Sequence, residues 1–75
     1  MAEPAASITI IVNGEGREVP EGLTLRGLLD ILEVKGPHVA VARNTELVPR
    51  SEFDALRLAS GDEIEIVHAI GGGAI

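Results

Sequence analysis

The sequence predicts an α+β fold in which a mixed sheet of four to five strands packs on a single helix. Three observations predict it. Two strand-like runs near the start are separated by Asn13-Gly14, a hairpin turn signal. Leu23–Leu32 carries the one clear helical stripe. Glu63–His68 alternates acidic and apolar residues with the period of a half-buried strand.

The first run, Ser7–Val12, is β-branched and apolar, with Ile8, Ile10 and Val12 facing the core and Thr9 and Ile11 facing away. After the turn, with Gly16 as a second permissive position, Arg17–Val19 returns as the second strand, which Pro20 and Gly22 end. In the helix, Leu25, Leu28, Leu29 and Leu32 fall at i, i+3, i+4 and i+7. Thr24 is its expected N-cap and Leu23 a hydrophobic staple onto Leu28. Gly27 in the first turn, unfavourable by roughly 1 kcal/mol against Ala, marks close packing. Lys35-Gly36-Pro37 is expected to stop the helix.

His38–Asn44 reads as a third strand with Val39 and Val41 inward, which leaves Ala40 and Ala42 on a flat opposite face. Leu47-Val48 is a short apolar strand broken by Pro49, and Ser51–Ala55 a helical or 3₁₀ turn anchored by Phe53. Leu56 and Leu58 add core contacts, and Ser60-Gly61-Asp62 is a turn. The last strand sets Ile64 and Ile66 inward and Glu63, Glu65 and Val67 outward. A hairpin packed on one helix, with the final strand parallel to the first across a long crossover, is the β-grasp (ubiquitin-like) arrangement. The expected organisation is a disordered tail over residues 1–6, one domain over 7–70 and a flexible glycine tail over 71–75.

Composition narrows the function. A single aromatic, Phe53, leaves the core to Ile, Leu and Val, and the absence of cysteine excludes disulfides and a catalytic thiol. The net charge of −6, with scattered basic residues, argues against nucleic acid and suits docking to a basic protein. No run approaches a membrane span, and the MAEPAAS start has no signal-peptide pattern, so a cytoplasmic location is expected.

Side chains offer no catalyst. His38 and His68 stand at strand ends with no third ligand at useful spacing, so no metal is expected. Asp62, Glu63 and Glu65 read as a solvated edge, and no serine has a histidine or glycine elbow near it. The backbone remains. Gly71, Gly72 and Gly73 form a segment without Cβ atoms, thin enough for a narrow channel. A terminal glycine carboxylate can attack the α-phosphate of ATP in a partner's active site and leave as an acyl-adenylate. An inert end would have the same composition.

IIVNGE (Ile10–Glu15), TLRGLLDIL (Thr24–Leu32), VAVARNTELVPR (Val39–Arg50) and GDEIEIVHAIGGG (Gly61–Gly73) together resemble the thiamin-biosynthesis sulfur carrier family, in order and with ordinary gaps. The resemblance implies a β-grasp carrier that is a cosubstrate and not an enzyme. An adenylating activating enzyme would use ATP on Gly73, sulfur would come from cysteine through a desulfurase, and thiazole synthase would accept it from the thiocarboxylate. The carrier itself is expected to bind no cofactor and to be a monomer when free. Gly73 matches the family's reactive glycine, and Ala40, Ala42 and Val67, with Ile11 adjoining, would form the docking face.

Ala74-Ile75 departs from the family pattern, because a peptide bond at Gly73 masks the carboxylate. Trimming by a peptidase ranks first among three readings, ahead of an extension foreign to the natural chain and a relative that has lost the chemistry. A carrier for molybdopterin or for cysteine or metabolite biosynthesis, a ubiquitin-like modifier and a plain interaction module remain as alternatives.

Overall fold

Asn13 and Gly14 make the first hairpin by taking positive φ angles, 49° and 86°. That is the turn whose twist matches the flanking strands, and Gly14 reaches it without a Cβ penalty. In the computed structural model, which describes residues 6–68, the turn joins β1 (Ser7–Val12) to β2 (Glu15–Pro20). β2 is longer than the Arg17–Val19 expected. Pairing runs from Val12 with Glu15 to Ser7 with Pro20, and a proline is tolerated at the end of an outer strand. Gly16 keeps an ordinary φ with open space around it, so no glycine is needed there.

The helix, α1 (Leu25–Ile31), is shorter than the stripe suggests. Thr24 caps it as expected, its hydroxyl accepting from Gly27 N at 3.1 Å. Lys35-Gly36-Pro37 does not end it. Leu32 is the C-cap, and Glu33 takes a left-handed φ of 60°. Val34 N–H then donates to Leu29 O (2.9 Å) and Glu33 N–H to Asp30 O (3.1 Å), the paired bonds of a Schellman stop. Close packing at Gly27 is real: a Cβ there would stand 2.6 Å from Leu23 Cδ1.

β3 (Val39–Arg43), β4 (Glu46–Val48), a 3₁₀ turn (Arg50–Glu52) and β5 (Glu63–His68) follow, the 3₁₀ turn ending at Glu52 rather than spanning the Ser51–Ala55 expected and Glu46 joining Leu47-Val48 in β4. The sheet order is β2-β1-β5-β3-β4, with β5 parallel to β1 and antiparallel to β3. This is the β-grasp arrangement expected. Ile10, Leu25, Leu28, Leu29, Val41, Phe53 and Ile64 fill the space between helix and sheet and are almost wholly buried. Leu58 joins them, while Leu32 and Leu56 are half-buried at the margin. Arg50 straps the loop after α1, its guanidinium donating to Gly36 O (2.9 Å) and Val39 O (3.4 Å). No helix among the described residues is long and apolar enough to cross a membrane.

Candidate docking site

Strand register gathers the expected face. Ala40 lies opposite Val67, and Ala42 lies between Leu47 on β4 and Glu65 on β5. Small side chains on β3 leave a shallow apolar depression lined by these residues, whose large members stand above it. Leu47 is 73% exposed and Val67 65%, a pair of apolar side chains that the fold leaves in water. Such a contiguous exposed apolar surface is the ordinary mark of a contact site. Glu65 adds negative charge at its border.

Leu47 is the residue sequence reading missed, having been assigned with Val48 to an apolar strand. The signal was present, because strand alternation sends Val48 to the core beside Val41 and so turns Leu47 outward beside Ala42. Ile11 lies on the same side of the sheet but is not among the residues that line the depression. It pairs with Glu63, four residues and roughly 13 Å along β5 from Val67.

At the other end of β5 a polar cluster fixes the turn that starts the strand. Asp62 was expected at a solvated edge but is only 4% exposed. Ala59 N–H donates to its Oδ2 at 2.8 Å, Arg43 Nε to Oδ2 at 3.0 Å, and Asn44 Nδ2 to Oδ1 at 3.2 Å. Burial alone would raise its pKa, but the Ala59 N–H, the Asn44 amide and the Arg43 guanidinium outweigh it and hold the carboxyl below the usual carboxylate range. Asn44 Oδ1 accepts from Glu63 N (2.9 Å), so one side chain ties the β3–β4 turn to the start of β5.

His38 and His68 come to one end of the sheet, where Val39 pairs with His68, but they do not form a site. His68 Nε2 lies 3.9 Å from where a Gly36 Cβ would stand, on the helix side, while His38 is one residue out of that register. Among the described residues no group of three metal-capable side chains gathers. Gly71, Gly72, Gly73, Ala74 and Ile75 lie outside the described residues, as do residues 69 and 70 and most of the expected N-terminal tail. What is fixed is their origin: β5 delivers the chain at His68, beside Val67 and the apolar face.

Comparison with known proteins points one way. The ThiS family model matches residues 10–73. The chain is 42% identical over 65 residues to a thiazole synthase of Paramagnetospirillum magneticum, covering 87% of this chain and 20% of that protein, so it spans only a small part of that relative's length. It is 36% identical over 50 residues to the sulfur carrier protein ThiS of Bacillus subtilis, covering 67% of this chain and 76% of that one. Among solved structures, a thiamine biosynthesis protein (ThiS) from Geobacter metallireducens superposes with a TM-score of 0.74 at 35% identity, over 88% of this chain and all of that one.

Proposed function

The chain belongs to the ThiS family, and from that premise we propose that it carries sulfur for thiazole formation in thiamin biosynthesis, as a protein cosubstrate whose reacting atoms are those of the Gly73 carboxyl group. The observation that carries this reading is where the family match stops. It runs to residue 73, the last of three glycines, and leaves Ala74-Ile75 beyond it.

In the proposed cycle a peptidase first removes Ala74-Ile75 by hydrolysis of the Gly73–Ala74 bond. A Gly73 carboxylate oxygen then attacks the α-phosphorus of ATP bound to an activating enzyme, and pyrophosphate leaves. The terminal sulfur of a persulfide, supplied from cysteine through a desulfurase, attacks the acyl carbon and displaces AMP. A thiol of the partner cleaves the resulting acyl disulfide, taking the other sulfur into a new disulfide and freeing the thiocarboxylate. Thiazole synthase is the proposed acceptor, and the resemblance of this chain to part of proteins bearing that name supports the assignment. The face formed by Ala40, Ala42, Leu47 and Val67 is the proposed docking surface. Its place beside the strand that leads to the tail supports this, because a partner seated there receives the glycines at its own active site.

Intact-mass measurement tests the reading. The chain ending at Gly73 and the chain ending at Ile75 are each given ATP, an activating enzyme and a sulfur donor. Exchange of one carboxyl oxygen for sulfur is expected only in the shorter chain. The same exchange at Gly73 with Ala74-Ile75 still attached would end the masking reading, and isopeptide adducts on other proteins would replace the carrier with a modifier.

A further inference from the structure

The sheet has two outer edges and one internal step. The outer edges are protected in the usual ways: β2 carries exposed Glu15, Arg17 and Glu18 and ends at Pro20, and β4 has three residues followed by Pro49. The step is on β5. Its pairing with β1 is Ile11 with Glu63 and Val12 with Ile64, after which β1 turns away at Asn13-Gly14 and β5 continues to His68.

Hydrogen bonds show which groups face this step. Asn13 N–H donates to Ile64 O (2.9 Å), and Asn44 N–H on the other side donates to Glu63 O (2.8 Å). Even-numbered residues of β5 therefore turn their backbone N–H and C=O toward the β1 side, and odd-numbered ones toward β3. At Ile66 the Asn13 side chain occupies the step like a peptide unit: Ile66 N–H donates to Asn13 Oδ1 (2.9 Å) and Asn13 Nδ2 to Ile66 O (3.4 Å). The next such pair is that of His68, about 7 Å further along. Val39 opposite it is a non-hydrogen-bonded partner, and on the other side the pairing with β1 has ended at Ile64, so no strand among the described residues pairs with His68 there.

We propose that the His68 edge of β5 receives an extended backbone segment of the activating enzyme, adding a short strand that continues the rung begun by the Asn13 amide. This rests on the carrier reading above. The occupant is a backbone because the neighbouring position is already filled by a carboxamide bonded through both its donor and its acceptor. An added strand would hold the chain straight where it leaves the fold, so that the glycines enter the partner's active site in register.

Amide hydrogen exchange on the complex of the chain ending at Gly73 with the activating enzyme tests this without any substitution in the fold. Exchange at His68 is expected to slow by about tenfold or more on binding, as at a newly paired strand position, while that of Val67, already facing β3, changes little. His68→Pro, which removes the N–H without touching a β3 bond, is expected to weaken the complex by roughly three- to tenfold, whereas His68→Ala retains binding; thermal unfolding of both variants checks the fold. Unchanged exchange at His68 in the complex overturns the proposal, and so does protection already present in the free chain, which would place residues 69–73 on that edge. Failure of the chain ending at Gly73 to be charged would instead overturn the carrier reading.

Discussion

Single residues carry two features that a pattern search passes over. The β3–β4 turn places Asn44 and Thr45 at φ 50° and 73°, and a β-branched residue is poorly suited to that region. Asn44 offsets the strain through its bonds to Asp62 and Glu63, but Thr45 has no such bond. Thr45→Gly is therefore expected to raise stability by roughly 0.5–1 kcal/mol, read as a higher urea midpoint at unchanged slope. Asp62 was legible only as a turn residue after Gly61, since nothing local reveals that Arg43 and Asn44, 19 and 18 residues away, will enclose it. Its depressed pKa fixes the sign of the pH effect. The folded state binds the Asp62 proton more weakly than the unfolded chain, so the contribution is fully present above about pH 4 and fades as pH falls through the lower folded value. Asp62→Asn should lower stability near neutrality and flatten the acid limb of a denaturation series. An unchanged limb would assign the acid sensitivity to other carboxylates.

At the scale of elements, periodicity found every strand and the helix, and misjudged mainly where they stop. The strand alternation of Glu63–His68 and the Leu25-Leu28-Leu29 stripe are core patterns, and hydrophobic burial enforces them. The helix end is set by a local backbone choice, Glu33 in a left-handed conformation, at a residue type with no preference for it. Tertiary pairing similarly lengthened β2 past its apolar content. The stripe itself makes a sharp expectation. Leu28 is wholly buried and Leu32 lies half-buried at the margin, so Leu28→Ala should cost about 2–5 kcal/mol and Leu32→Ala distinctly less. In so small a domain the first loss approaches the whole stability. Equal unfolding midpoints for the two variants would mean that the core relaxes around either gap.

For the molecule as a whole, the proposed docking face lets stability and function be tested separately. The flat Ala40–Ala42 surface and outward Val67 were legible from alternation, whereas Leu47 joined them only through pairing of β4 with β3. Both large side chains are mostly in water already, so shortening them removes little folding free energy. In a complex the same atoms would be buried. Leu47→Ser with Val67→Thr, which keeps a β-branched residue in β5, should leave the melting temperature nearly unchanged and weaken partner binding by about tenfold or more. Charge gives an independent check on the same complex. A chain of net charge −6 with Glu65 at the border of the face is expected to be drawn toward a basic partner surface. Raising ionic strength should therefore slow association far more than it speeds dissociation, while the apolar substitutions act mainly on dissociation. Measured by rapid mixing or surface capture, that division distinguishes a docking face from a loss of folding. A salt effect confined to dissociation, or a melting temperature that falls with affinity, would place the contact elsewhere on the fold.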